Sequence, residues 1–277
     1  MTGPLPRSEG PARPDEALPP RTSGQARPPS ELGRSVLAST FLRSLAIQGS
    51  WNYRTMLGGG FAFALLPVLR HIYGSGGSEI ERAIARHAVH FNAHPYLAGV
   101  ALGAAARLEH EGEDPEMISR FKAAVKGPLG GIGDALVWAT WLPTTLLLSL
   151  AAAWWGLAPL ASVALFLILY NAGHLSLRVW AFRVGLAEGK RVGGRLRQAD
   201  LGHLTETLTR LGAVSLGLVA GALLLSERAF VGGAPFWPVL AAAGFVLGVT
   251  GGLRVWRPTA LFVVGTIVLL LITQGMF

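Results

Sequence analysis

The chain has 277 residues, of which 51% are hydrophobic and only 14% charged, with a formal charge of +8 and a mean hydropathy of +0.44. A soluble domain carries nearer a quarter charged residues, so the composition argues against a soluble globular protein and for one whose apolar surface meets lipid. There is no cysteine, which excludes disulfides and thiolate metal sites, and the basic residues sit beside apolar runs in the positive-inside pattern, without the basic–aromatic pattern of a nucleic-acid motif.

Residues 1–30 hold 8 of the 17 prolines and no apolar core of a signal peptide. Such a segment cannot bury enough surface to offset its ordering entropy, so a disordered, cytoplasmic Pro/Arg-rich tail is expected. Residues 31–134 read as a helical, cytoplasmic or interfacial part. A helix from Glu31 places Leu37, Phe41, Leu42 and Leu45 at helical spacing, either amphipathic on a membrane surface or against a partner, or an ordinary packing helix. The run Phe61 to Leu69, broken by Pro67, is too short to span the bilayer and suggests a re-entrant or interfacial segment. A polar helix is expected over 79–95, ending at Pro95, and a small-residue helix over Ala98 to Ala106. An acidic patch runs from Glu109 to Glu116, and Asp114-Pro115-Glu116 opens a helix that should stop at Gly127-Pro128.

Residues 135–277 read as the transmembrane part. Spans are expected at 135–155, with a kink at Pro143, and at 157–177. A loop over 178–197 carries Arg178, Arg183, Lys190, Arg191, Arg195 and Arg197 against one Glu188, which places it in the cytoplasm. Spans at 208–225, 238–253 and 258–275 complete the set. The fold class is therefore all-α: about five transmembrane or re-entrant helices following a helical N-terminal half. The recurrent glycine pairs Gly217/Gly221, Gly244/Gly248 and Gly248/Gly252 read as close helix packing.

Few residues carry chemistry. His87, His90 and His94 recur at three and four, but the helix should be ending there and no carboxylate sits at ligand spacing between them. They read as hydrogen-bonding histidines rather than a metal site. Gly127-Pro128-Leu129-Gly130-Gly131-Ile132-Gly133-Asp134 reads as a Gly-rich turn at the mouth of the first span. It lacks the Gly-Lys-Ser/Thr ending of a phosphate loop. Irregular backbone at that depth must be buried in protein or line a cavity, and such breaks are where transporters hold substrate. Asp134 is costly there unless paired or wet, or else it is a helix N-cap. Asn171 and His174, one turn apart in the second span, are either functional or interhelical hydrogen-bonding groups. No catalytic triad, carboxylate pair or metal cluster emerges, and nothing calls for a cofactor.

Four stretches stand in an order that resembles the IID component of the mannose/fructose/sorbose family of the phosphotransferase system. They are Gln48-Gly49-Ser50-Trp51-Asn52-Tyr53, Gly60-Phe61-Ala62-Phe63-Ala64-Leu65-Leu66-Pro67, His87 with Phe91-Asn92-Ala93-His94-Pro95-Tyr96-Leu97-Ala98, and Gly127 to Asp134. The resemblance implies a bacterial cytoplasmic-membrane subunit that pairs with a IIC subunit to form the sugar path. The soluble IIA and IIB phosphocarriers bring phosphate from phosphoenolpyruvate, and trimers of IIC–IID pairs are implied as well. IID carries no phosphohistidine in that scheme, so His87 and His94 would be structural or sugar-facing. Sugars are read by directional hydrogen bonds plus an aromatic face, and Trp51, Asn52, Asn92, His94 and Asp134 are suitable types. The chain departs from the family after Trp51-Asn52-Tyr53: Arg54, Thr55, Met56 and Leu57 stand where Glu-Arg-Met-Gln is usual. The connection over 226–237 is also shorter than in many relatives. A membrane sensor or scaffold descended from such a subunit is the second reading.

Overall fold

The computed structural model describes residues 32–225, and side-chain environments through residue 219. The N-terminal tail and the spans expected at 238–253 and 258–275 lie outside the described residues. Those that are described form nine α-helices, a π-helical stretch and a 3₁₀ turn, with no strand among them.

Helix α1 (Arg34–Ser44) packs on α2 (Gly58–Tyr73), so it is a packing helix of the bundle. Its buried residues are Thr40 and Ser44, while Leu42 is 62% exposed. The run expected to be re-entrant is instead the body of α2, which continues through Pro67. Phe61, Ala64, Leu65, Val68 and Leu69 are fully buried there, because neighbouring helices rather than lipid cover both sides. Helix α3 (Ser78–Ala88) has Glu79 and Glu81 in its first turn and Arg86 and His87 in its last, the order the helix dipole favours. It ends at Ala88, seven residues before Pro95, and the backbone of Val89 is extended.

Helix α4 (Ala98–His110) is the buried axis: every residue from Ala98 to Ala106 is inaccessible to solvent. Its small residues let it meet α7 (Pro159–Glu188) backbone to backbone. A Cβ added at Gly103 would lie 2.3 Å from the Phe182 carbonyl oxygen, and one at Gly185 would lie 2.2 Å from that of Val100. This is close approach through glycine on both helices.

Around the end of α4, Glu109 gathers three elements. It is 2% exposed and accepts from Tyr73 Oη at 2.7 Å on α2, and from Arg86 Nη2 at 2.7 Å and His87 Nε2 at 2.8 Å on α3. Lys122 of α5 (Pro115–Gly133) donates to the His87 carbonyl at 3.1 Å, with its Nζ 4.5 Å from the centre of the Phe61 ring. A carboxylate so deep is tolerated because every donor around it is charged or oriented. Burial pushes His87 down to about 4, so its ring is neutral and donates through Nε2. Burial alone would raise the Glu109 carboxyl, but the hydrogen bonds from His87, Tyr73 and Arg86 bring it down to about 2.

Helix α5 begins as read, with Asp114 capping the Met117 N–H at 3.1 Å and Pro115 in the first turn. It does not end at Gly127-Pro128. The expected Gly-rich turn is helical, and the path runs on through a π-helical stretch (Asp134–Trp141) into α6 (Leu142–Trp154). Backbone left open at the membrane edge costs several kcal/mol per unpaired group, more than the ~1 kcal/mol a helical glycine costs. Asp134 is thus inside a continuous helix and not an N-cap. Pro143 falls in the first turn of α6, just after the π stretch, where hydrogen bonding is already irregular.

The residues expected as a loop over 178–197 are mostly helical too. Helix α7 continues to Glu188, Gly189–Arg191 makes a 3₁₀ turn, and α8 (Val192–Gln198) follows before α9 (Leu201–Leu225). Arg178, counted with the cytoplasmic basic residues, instead turns inward on the helix, 6% exposed, and donates to the Ser44 carbonyl at 3.0 Å.

The paths Pro115–Trp154 and Pro159–Gln198 are each 40 residues long and apolar enough to cross a membrane. Only 6% of the apolar stretch in the second is buried within the chain, so its leucines face outward, as they would not in a soluble core.

Candidate functional site

The four sequence motifs meet. The segment after Trp51-Asn52-Tyr53 pairs with the segment before Asn92: the Leu57 N–H donates to the Phe91 carbonyl at 2.9 Å, and the Phe91 N–H to that of Thr55 at 3.1 Å. The second motif enters α2 through Gly60, which lies directly on the Ile47 backbone. The fourth closes on the third. A Cβ at Gly133 would lie 2.2 Å from His94 Cβ, and Gly130 faces the Asn92–Ala93 backbone.

Within this junction the candidate residues differ in availability. Trp51 is 47% exposed and meets Tyr53 edge-on at 4.8 Å. Asn52 is exposed, but its side chain builds the turn: Oδ1 accepts from the Arg54 and Thr55 N–H groups, and Nδ2 donates to the Ser50 carbonyl and Thr55 Oγ1. Asn92 and Asp134 are exposed. His94 is 1% exposed, and its Nδ1 accepts from the Tyr96 N–H at 3.2 Å. Burial, with Arg178 adding to it, pushes His94 down to about 4, so the ring is neutral and Nε2 carries the proton. That Nε2 is buried with no hydrogen-bond partner among the described residues. The three histidines do not converge: His87 joins Glu109, and His90 lies near Lys126 at 3.5 Å.

Aromatic rings surround His94. Trp138, 46% exposed on the π stretch, lies 5.4 Å away and Tyr96 4.9 Å. Tyr96 stacks on His174 at 4.3 Å, shares a hydrogen bond of 2.8 Å with Tyr170 Oη, and carries the Arg178 guanidinium 4.7 Å above its ring. Trp141 donates to the Tyr170 carbonyl at 3.4 Å. Of the pair singled out in the second span, His174 joins this cluster, while Asn171 is exposed and donates to the Leu167 carbonyl at 2.7 Å. Sequence reading missed Tyr170 and Arg178, yet the signal was there: Tyr170, His174 and Arg178 stand at i, i+4 and i+8, one stripe of a helix.

Two helical paths long and apolar enough to cross a membrane, the second facing outward, with a π-helical stretch and a polar aromatic junction beside them, are the features of an integral membrane protein. The match to known proteins names the kind. Residues 31–226 match the family model described as the PTS system mannose/fructose/sorbose family IID component, and the chain belongs to that family. It is 34% identical over 194 residues to the mannose-specific EIID component of Escherichia coli, covering 68% of this chain and 67% of that one. It is 33% identical over 191 residues to the fructose permease IID component of Bacillus subtilis, covering 67% of this chain and 68% of that one. The structure superimposes with a TM-score of 0.55 on a chain from the cryo-electron microscopy structure of the mannose transporter ManYZ bound to a microcin. The match has 26% identity and covers 86% of this chain and 96% of that one. A second solved membrane protein matches with a TM-score of 0.63 at the same identity and coverage. The chain is therefore the IID membrane component of a mannose-family permease.

Proposed function

We propose that this subunit pairs with a IIC subunit to form a path for a mannose-type hexose or amino sugar, which IIB phosphorylates as it is released inward. The meeting of the four motifs around the segment Phe91–His94 supports the reading. It joins a buried unpartnered N–H, exposed Trp138, and exposed Asn92 and Trp51 in segments that are hydrogen-bonded to one another. An unmet buried donor is where a sugar hydroxyl gains most. In this reading Trp51, Asn92, His94 and Asp134 are sugar-facing, and Asn52 fixes the turn that presents Trp51.

The IIC subunit would lie along the exposed stripe Gly127, Gly131, Asp134 and Trp138, at i, i+4, i+7 and i+11 of one helical path. Among the described residues nothing lies within 4 Å of a Cβ at Gly127 or Gly131, so a second helix can approach there, with sugar-facing Asp134 at the edge of that contact. Positive-inside placement of Arg183, Lys190, Arg191, Arg195 and Arg197 puts that end of α7, and the N-terminal tail, in the cytoplasm beside IIA and IIB. Trimers of IIC–IID pairs complete the proposed assembly.

The test is co-expression with IIC and the soluble carriers, following phosphoenolpyruvate-dependent uptake of labelled mannose, fructose and amino sugars into vesicles. Uptake should require this chain and fall at least about tenfold in Asn92→Ala, the effect of one lost sugar hydrogen bond of roughly 1.5 kcal/mol. Because Asn92 is exposed, the variant should still assemble. A stable complex that takes up no sugar would overturn transport in favour of the sensor or scaffold reading, which family membership and the transporter fold do not favour.

A further inference from the structure

We propose that the cleft between α7 and α8 holds an anionic phospholipid, with its phosphate on Arg183 and Arg195 and an acyl chain in the leucine-lined recess beside Trp180. The inference needs only that the chain is embedded in a membrane, so it stands apart from the sugar reading.

Two adjoining hollows make the cleft. The outer, of about 800 Å³, is lined by Trp180, Arg183, Arg195 and Gln198, with Val179 and one carboxylate, Glu188. The inner, of about 580 Å³, is lined mainly by Leu136, Val137, Leu177, Leu201, Leu204 and Leu208, and also by Tyr96, Trp141 and His174 of the aromatic cluster. Ser176, Trp180, Arg195 and Gln198 belong to both, so a basic mouth opens directly into an apolar recess. A basic mouth beside a mostly apolar recess is the polarity of a lipid.

Depth agrees. Helix α7 has no Asp, Glu, Lys or Arg from Leu160 to Leu177, eighteen residues that rise roughly 27 Å, close to the ~30 Å hydrocarbon thickness. Trp180 and Arg183 follow within two turns, at headgroup level, where Trp and basic residues collect. Arg178, on the same helix, turns inward to Ser44 and Tyr96, whereas Arg183 and Arg195 are exposed and form no ion pair among the described residues. Two unneutralised guanidiniums beside an apolar recess are complementary to a phosphodiester carrying acyl chains, since Arg binds phosphate in fork geometry and basic pockets between membrane helices favour anionic headgroups. A free phosphate would have no use for the recess.

Native mass spectrometry of the full chain, titrated with phosphatidylglycerol or with phosphatidylcholine of the same acyl chains, tests this. Phosphatidylglycerol should be retained preferentially. The double variant Arg183→Gln/Arg195→Gln should weaken its binding about 30-fold, the factor given by ~1 kcal/mol per arginine at about 1.4 kcal/mol per tenfold, and should leave phosphatidylcholine unchanged. Leu204→Trp, which fills the recess without touching charge, should weaken phosphatidylglycerol as well. The substituted residues are exposed, so the variants should melt like the parent chain. Equal retention of the two lipids, or undiminished phosphatidylglycerol in the double variant, would overturn the site. So would displacement of the lipid by inorganic phosphate at equal concentration. A photocrosslinker on Ala187→Cys, the sole cysteine, that captures a partner protein in a complex retaining no lipid would show the cleft to be a protein interface and overturn it too.

Discussion

Replacing Glu109 by Ala should cost this subunit more stability than almost any other single change. The carboxylate is buried and accepts from Arg86 and His87, whose side chains are 14% and 0% exposed. Without it the Arg86 guanidinium stays largely desolvated with no counter-charge, and the His87 Nε2–H loses its acceptor. Breaking a buried pair by removing one partner typically costs about 3–5 kcal/mol. For a chain of this size each kcal/mol lowers the melting temperature by roughly 2–4 °C, so a fall of about 10 °C is expected. The measurement is thermal melting of the purified full chain in detergent, followed by the fraction that remains monodisperse. Glu109→Gln keeps the volume and one acceptor oxygen but not the charge, and should fall between the two. If Glu109→Ala melts within about 2 °C of the parent chain, the view that this carboxylate ties α2, α3 and α4 together is wrong.

The same group makes stability fall on acidification. His87 is pushed by burial from 6.5 to about 4, so the unfolded chain binds a proton that the folded chain refuses, and stability drops as pH falls from 6.5 towards about 4. Glu109 contributes in the same sense: its hydrogen bonds bring it from 4.5 to about 2 against the opposing effect of burial, so stability present above 4.5 is lost as pH falls through that range. Melting temperatures taken between about pH 7.5 and pH 4.5 should therefore decline, and a flat profile would contradict the neutral, buried state of His87. Within the glycine motif, Gly133→Ala should destabilise by about 1–3 kcal/mol through overpacking against the His94 ring, while Gly131→Ala, which meets nothing within 4 Å, should leave the isolated chain's melting temperature unchanged or raise it slightly. Equal effects of the two alanines on that temperature would remove the argument for His94 and Gly133 as a packed pair.

What the sequence made legible was whatever depends on one-dimensional pattern. Apolar length gave α6 and the apolar part of α7, Asp114-Pro115 gave the start of α5, and four ordered motifs gave the family. Turn chemistry, by contrast, misled. Proline and glycine were read as stops at Pro67, at Gly127-Pro128 and at Pro95. The first two lie inside helices, and the helix before the third had already ended at Ala88. Their usual cost is set by an alternative in which water satisfies the freed backbone groups. In α2 neighbouring helices exclude that water, so helix persists through Pro67. The arginine-rich stretch misled similarly, because charge counting places a segment beside a membrane but does not distinguish loop from helix. Only the stripe Tyr170, His174 and Arg178 would have told that Arg178 faces inward.

The candidate site was legible in its parts and not in its geometry. The amide of Asn52 is of a type that suits a sugar hydroxyl, yet all of its hydrogen bonds close its own turn. Sequence cannot separate an Asn that offers its side chain from one that folds it back, since both occur where the chain leaves a helix. The motif marks His94, but its surroundings exist only in three dimensions: Gly133 lets a helix backbone lie on its imidazole, while the Tyr96 N–H donates to its Nδ1. That arrangement fixes the tautomer, leaves Nε2 as a donor and sets the ring between the extended segment and the π stretch that carries Trp138. A glycine at position 133 is therefore explained by what lies against it, and Gly127 and Gly131 by what does not. The first is packed within this chain. The other two are bare along a stripe that includes Asp134, which is the pattern of a surface completed by another subunit rather than by the folding of this one alone.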